Sequence, residues 1–215
     1  MSSALAGLVI LVIGDSQMMN MLNNLHSQLQ DNGATVYSYA MCGSTPADWI
    51  TPSIASCGTG ERQDKSPAVF DLKSHPGWSL NDLIGRHHPQ LIIVELGDTM
   101  AGYGAQLELS WIHQQVSGLT GRIAAAKIPC VWVGPTWGQD EPPYRKSVAS
   151  VQAISQLLSA SVAPCNYVDS TGFSRPGEWP TKDGGHLQPD GYRKWGKAIA
   201  DAIVRLKGQG ALGAR

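Results

Sequence analysis

Short, continuous apolar runs alternate along the chain with stretches in which apolar residues recur at helical spacing. Runs of this kind are typical of strands that are buried on both faces of a sheet. The predicted strands lie at residues 8–14, 35–41, 90–96, 130–134 and 166–169. The predicted helices lie at residues 17–31 and 79–86 and around the apolar positions of residues 112–123, 151–158 and 195–206.

Five strands followed in turn by helices predict an α/β fold. We expect three layers, in which a five-stranded parallel sheet carries helices on both faces. The length of 215 residues suits a single domain, residues 1–215. Residues 51–77 lack periodicity and are rich in serine, glycine, proline and charged residues. They predict a surface insertion near the candidate functional site described below.

Composition narrows the classes of partner and compartment. The net charge of −1 gives no bulk attraction to nucleic acid or anionic membranes, and no apolar run approaches the ~20 residues of a membrane span. No lysine or arginine precedes Arg62, and the first run leads straight into Gly14-Asp15-Ser16, which argues against a cleaved signal peptide. Export stays open.

Four cysteines, Cys42, Cys57, Cys130 and Cys165, permit two disulfides in three connectivities. We favour Cys42–Cys57, which brackets one loop, and Cys130–Cys165, which precedes two neighbouring strands. These bonds would favour a periplasmic or secreted protein; four buried thiols in a cytoplasmic protein are the alternative. The spacing fits no metal site, and we expect neither metal nor cofactor.

Candidate chemistry lies at the carboxyl edge of the predicted sheet, where open α/β folds bind their ligands. Ser16 follows the first strand directly. A serine nucleophile needs a base, a histidine can serve as one, and a carboxylate can orient the imidazole. Asp183 and His186 lie three positions apart in the last loop and could meet across a turn.

The same residues resemble the sequence blocks of the SGNH, or GDSL-type, hydrolases. Gly14-Asp15-Ser16 resembles the first block and Gly43 the glycine of the second. Leu96-Gly97-Asp98-Thr99 falls where the third block belongs, and Asp183-Gly184-Gly185-His186-Leu187 resembles the fifth. The resemblance implies a flavodoxin-like SGNH hydrolase fold across nearly the whole chain.

The resemblance also implies roles for individual residues. Ser16 would be the nucleophile, His186 the base and Asp183 its partner, while Asp15 would shape the turn. The oxyanion hole would use the backbone N–H groups of Ser16 and Gly43. Its third donor, an asparagine in the family, aligns with Thr99, so either this hydroxyl donates, a water replaces it, or activity is reduced or specialised.

These expectations favour a serine esterase that removes a short acyl group, preferably acetyl, from a carbohydrate through an acyl-enzyme. The substrate would be a small-molecule or polysaccharide acyl ester. The alternatives are a polysaccharide O-acetyltransferase and a degenerate, carbohydrate-binding domain; a flavodoxin-like nucleotide binder is a further rival. Aromatic side chains in the loops near the site could stack on sugar rings or fill the core. These residues are Trp49, Tyr103, Trp137, Tyr144 and Trp179.

Overall fold

The structure is a computed structural model that describes residues 3–212, and it confirms the predicted α/β class. The strands are Val9–Gly14 (β1), Thr35–Met41 (β2), Ile54–Ala55 (β3), Thr59–Gln63 (β4), Val69–Asp71 (β5), His75–Pro76 (β6), Leu91–Glu95 (β7), Cys130–Val133 (β8) and Asn166–Val168 (β9). The helices are Ser16–Asp31 (α1), Leu80–His87 (α2), Asp98–Ala101 (α3), Leu109–Ala125 (α4), Val148–Ser161 (α5) and Pro189–Gly208 (α6). None of these described helices is long and apolar enough to span a membrane.

The main sheet has seven strands in the order β5-β4-β2-β1-β7-β8-β9. Its five strands from β2 to β9 pair in parallel and are the five predicted strands. The strands β4 and β5 extend the sheet beyond β2 in antiparallel orientation. The predicted count of five is therefore correct for the parallel part and too low for the sheet as a whole.

The added strands come from the segment of residues 51–77, which the sequence predicted as irregular. In the structure β4 pairs with the edge of β2, and β3 pairs with β6 in a separate two-stranded sheet. Hydrogen bonds between main chains hold β4 in place, and its residues 61–63 are polar. Periodicity of apolar residues could not reveal such a strand, because pairing at an edge does not require apolar side chains.

The central strand β1 divides the core into two layers. Ile10 and Val12 pack with the apolar faces of α1 and α6, whereas Leu11 and Ile13 pack with those of α2, α4 and α5. Alternate side chains of a strand point to opposite faces, so one apolar run fills both layers. This burial fixes the carboxyl end of β1, where Ser16 follows, in the middle of the sheet edge.

Both favoured disulfides, Cys42–Cys57 and Cys130–Cys165, are present in the structure. The first joins the residue after β2 to the 51–77 segment across 15 positions. The second joins the start of β8 to the residue before β9 across 35 positions. It therefore links two neighbouring parallel strands.

We expect the double variant Cys130→Ala/Cys165→Ala to lose stability. Closing a loop of 35 residues restricts the unfolded chain, which corresponds to about 4 kcal/mol of unfolding free energy in the chain-entropy account. Urea denaturation would measure the loss, with the Cys42→Ala/Cys57→Ala variant as the control for a shorter loop and a smaller effect. An unchanged unfolding midpoint in the Cys130→Ala/Cys165→Ala protein would contradict this expectation.

Candidate active site

Ser16 is the first residue of α1 and lies directly beyond the end of β1. The residue before it, Asp15, caps the helix, because its Oδ1 accepts a hydrogen bond of 2.8 Å from the Gln17 N–H. The first N–H groups of a helix have no partner within the helix. The junction therefore places a hydroxyl and a free N–H at the carboxyl edge of the sheet.

The structure brings the three residues of the predicted triad together. Ser16 Oγ lies 2.9 Å from His186 Nε2, across 170 positions of sequence. On the other side of the imidazole, His186 Nδ1 lies 2.9 Å from Asp183 Oδ2. These distances allow a proton to pass from the serine hydroxyl to the histidine ring.

The hydrogen bonds around Asp183 favour its ionised form, which accepts a hydrogen bond from the His186 ring. Burial on its own would raise the pKa of Asp183, but hydrogen bonds from the His186 backbone and ring and from the Gly185 N–H together hold that pKa below its usual value. Asp183 Oδ1 accepts from the His186 N–H at 2.7 Å and from the Gly185 N–H at 3.0 Å. An ionised carboxylate only accepts, so Nδ1 carries the ring proton and Nε2 can accept from Ser16.

Gln17 connects the two ends of the site, although no sequence motif assigns it a role. Its buried side chain donates from Nε2 to the Gly185 carbonyl at 3.2 Å. Its Oε1 accepts a hydrogen bond of 2.6 Å from the Tyr192 hydroxyl on α6. The residue after the candidate nucleophile thus holds both the loop that carries His186 and the helix that follows it.

Two of the three predicted oxyanion donors are backbone N–H groups with no partner. Within residues 3–212, neither the Ser16 N–H nor the Gly43 N–H takes part in a hydrogen bond. Gly43 has φ of +79°, a left-handed conformation that a side chain would strain. The turn after β2 therefore needs glycine for its backbone conformation, and the N–H of Gly43 remains available.

Thr99, the predicted third donor, is used elsewhere. Its hydroxyl donates a hydrogen bond of 2.8 Å to the carbonyl of Ser44, the residue after Gly43. A threonine hydroxyl has one proton to donate, so in this arrangement Thr99 cannot also donate to an oxyanion. The side chain instead tethers α3 to the turn that carries Gly43.

Buried ionisable groups lie behind the candidate nucleophile, and two of them, Glu95 and Lys146, have no motif in the sequence that points to them. Asp15 and Glu95 are almost fully buried, and each has one oxygen without a hydrogen-bond partner. Asp98 forms an ion pair of 2.8 Å with the fully buried Lys146 and also accepts from Tyr103. Burial and the charge of Asp98 raise the pKa of Asp15 to about 7, and burial also raises the pKa of Glu95.

A cleft of about 540 Å³ opens at Ser16 and His186. Polar side chains line part of it and apolar side chains line the rest. The lining comprises Ser16, Met19, Asn20, Cys42, Cys57, Phe70, Leu72, Lys182, Asp183 and His186.

Five aromatic residues were candidates for stacking on sugar rings, and this hypothesis is wrong for the three tryptophans among them. Trp49, Trp137 and Trp179 are at most 8% exposed and pack in the interior. Tyr144 is exposed, and its ring meets the His186 ring edge-on with centroids 5.0 Å apart. Phe70 is an aromatic residue that lines the cleft. It was not predicted to do so, because it lies in the aperiodic 51–77 segment.

Comparison with known proteins assigns the family and the fold. Protein BcsX of Komagataeibacter xylinus is 40% identical over 210 residues, which cover 95% of this chain and 79% of that protein. The chain belongs to the same family as BcsX. No family model matches it.

Solved structures confirm the fold that the resemblance to SGNH hydrolases implies. Est24, a carbohydrate acetylesterase from Sinorhizobium meliloti, superposes with a TM-score of 0.63 at 15% identity, over 92% of this chain and 99% of its own. Axe2, an acetylxylan esterase from Geobacillus stearothermophilus, gives 0.62 at 13% identity over 94% and 95%. The native aryl esterase of M. smegmatis gives 0.63 at 16% identity over 93% and 100%. At these identities the likeness is one of fold.

We expect the stability of the protein to depend on pH through Asp15. Its pKa is about 7 in the folded protein, against an ordinary value of 3.8, so the folded state keeps a proton that the unfolded chain releases. Asp15 therefore stabilises the fold most at low pH, and this contribution is lost as the pH rises through about 7. The free energy of unfolding of the wild type should therefore fall relative to that of Asp15→Asn as the pH rises from 3.8 to about 7.

Urea unfolding at a series of pH values would measure the difference. The variant Asp31→Asn, which removes an exposed carboxyl group at the other end of α1, is the matched control. A constant difference between wild type and Asp15→Asn at every pH would contradict the expected linkage.

Proposed function

We propose that the protein is a serine esterase whose catalytic triad is Ser16, His186 and Asp183. The observation that carries the proposal is the continuous hydrogen-bonded path from Ser16 Oγ to His186 Nε2, at 2.9 Å, and from His186 Nδ1 to Asp183 Oδ2, also at 2.9 Å. A serine beside a base that is itself oriented by a carboxylate is the arrangement that activates a hydroxyl for attack on a carbonyl.

The steps follow from this geometry. Ser16 Oγ attacks the ester carbonyl while its proton passes to His186 Nε2, and the carbonyl oxygen becomes an oxyanion. The backbone N–H groups of Ser16 and Gly43 are the free donors that can stabilise that charge. The protonated His186 then returns the proton to the leaving alcohol, which departs and leaves an acyl group on Ser16.

A water molecule completes the cycle. His186 removes a proton from the water as it attacks the acyl carbonyl, and the same proton returns to Ser16 Oγ as the acid leaves. Throughout both halves Asp183 stabilises the charged imidazole.

For the substrate we favour a short acyl ester, preferably acetyl, of a carbohydrate. The cleft beside Ser16 has both polar and apolar lining, which suits a sugar better than a hydrocarbon chain. Two of the similar folds described above belong to proteins named a carbohydrate acetylesterase and an acetylxylan esterase.

A second candidate is a carbohydrate-binding domain without catalysis. It is favoured by Thr99, whose hydroxyl is committed to Ser44 and leaves the oxyanion site without a third side-chain donor. The two candidates differ in whether ester cleavage depends on the Ser16 hydroxyl.

We expect Ser16→Ala to lower the kcat for p-nitrophenyl acetate at least ~10³-fold, because the nucleophile itself is removed. Release of p-nitrophenol measures the rate. Ser66→Ala, at an exposed serine outside the cleft, is the matched control and should retain wild-type turnover. Equal, slow turnover by wild type and Ser16→Ala would favour the binding domain and refute the esterase.

We expect Thr99→Val to lower kcat only about threefold to tenfold. The change removes a single hydrogen bond that steadies the Gly43 turn, and such a bond contributes on the order of 1 kcal/mol. Thr99→Ser keeps the hydroxyl and should stay near wild type. A loss of ~10²–10³ in Thr99→Val would instead identify the hydroxyl as a direct oxyanion donor.

A further inference from the structure

We propose that Phe70, in the middle of β5, and Leu72, just beyond its end, form a saccharide-binding wall that selects the alcohol part of the ester. The inference rests on the proposed esterase function and extends it to specificity. Both residues line the cleft that contains Ser16 and His186. Both are also unusually exposed for large apolar side chains, at 43% and 74%.

The size of the cleft indicates which part of an ester the wall contacts. An acetyl group is only a few times larger than a water molecule, which takes up about 30 Å³ in the liquid. It fills a small fraction of a cleft of about 540 Å³. The rest of the cleft has room for either a bulky alcohol or a much longer acyl chain.

The chemistry of the lining favours the bulky alcohol. Phe70, Leu72 and Met19 supply apolar surface, while Asn20 and Lys182 supply polar groups. Lys182 Nζ donates to Asn20 Oδ1 across a long 3.4 Å, and an ammonium group has three protons to donate. A long acyl chain would desolvate these polar groups without replacing their hydrogen bonds, which is costly.

A pyranose ring matches both kinds of lining. Its C–H face is apolar and can lie against the Phe70 ring, whereas its hydroxyl rim can accept from Lys182 and bond to Asn20. Aromatic side chains offer such a flat apolar surface at little cost in conformational entropy. We therefore assign the cleft to the sugar unit that bears the ester.

The wall is held firmly enough to act in selection. β5 pairs with β4, which pairs with β2 in the main sheet. Gly58 has φ of +105°, and a Cβ there would lie 2.2 Å from the Asp71 carbonyl, so the chain passes very close to the residue before Leu72. The adjacent Cys57 is bonded to Cys42. These contacts fix the 51–77 segment against the turn of Gly43.

The test compares Phe70→Ala, Phe70→Leu and Leu72→Ala with a control, Val69→Ala. Val69 is also apolar, lies on the same strand as Phe70 and is 59% exposed, but it does not line the cleft. The kcat/KM of each protein is measured on an acetylated xylo-oligosaccharide, on ethyl acetate and on ethyl octanoate. Thermal unfolding checks that each variant is folded.

We expect the ratio of kcat/KM for the saccharide to that for ethyl acetate to fall about tenfold in Phe70→Ala. Phe70→Leu and Leu72→Ala should give smaller decreases, and Val69→Ala should keep the wild-type ratio. An equal decrease in Phe70→Ala and Val69→Ala would overturn the proposal. So would a loss confined to ethyl octanoate, which would assign the wall to an acyl chain.

A binding measurement separates this inference from the esterase proposal. Calorimetric titration of Ser16→Ala with the acetylated oligosaccharide measures binding without turnover. In the double variant Ser16→Ala/Phe70→Ala the Kd should be about tenfold higher. If wild type and Ser16→Ala were equally inactive, the esterase proposal would fail while this result still decided the wall. An unchanged Kd in the double variant would refute the wall whatever the enzyme does.

Discussion

The buried hydrogen bonds of Gln17 are the constraint on which the candidate site depends. Ser16 and His186 are 170 positions apart, and they meet only if α1 and the loop before α6 keep a fixed relation. Gln17 supplies it by bonding to both Gly185 and Tyr192 in the interior, where an unmade bond leaves a polar group without water. Close packing of α6 on α1 at Gly196, where a Cβ would lie 3.0 Å from the Leu25 nitrogen, supports the same relation.

The charges of the buried ionisable groups near Ser16 affect the electrostatic potential at this candidate nucleophile. Three buried or nearly buried carboxyl groups, Asp15, Glu95 and Asp98, accompany the buried Lys146, and only Asp98 pairs with it. Burying an unpaired carboxylate is costly, and this cost raises the pKa values of Asp15 and Glu95 and so favours their protonated forms. In the proposed mechanism, a neutral Asp15 would repel the oxyanion that develops on the substrate carbonyl oxygen beside Ser16 less than an ionised one would.

The sequence allowed prediction of those features that leave a pattern along the chain. Apolar runs gave the five parallel strands, and the resemblance of Gly14-Asp15-Ser16 and the Asp183–His186 block gave the residues that the fold brings together. Edge strands such as β4 could not be predicted, because they rest on main-chain pairing. Lys146 gave no local signal, since its importance comes from a carboxylate 48 positions away. Glu95 was visible as a lone charge in an apolar strand, yet only the structure reveals its unpaired oxygen.

The departure at Thr99 changes how the proposed oxyanion site would work. Without a free side-chain donor there, stabilisation of the oxyanion would fall on two backbone N–H groups, and backbone donors are only as well placed as the turns that carry them. The turn at Gly43 is held from two sides, by the hydrogen bond from Thr99 to Ser44 and by the disulfide that begins at Cys42. Because that disulfide ends in the 51–77 segment, it links the turn of Gly43 covalently to the segment that carries Phe70 and Leu72. In the proposed enzyme, the segment that would contact the alcohol is therefore bonded directly to the turn that would present the Gly43 N–H to the oxyanion.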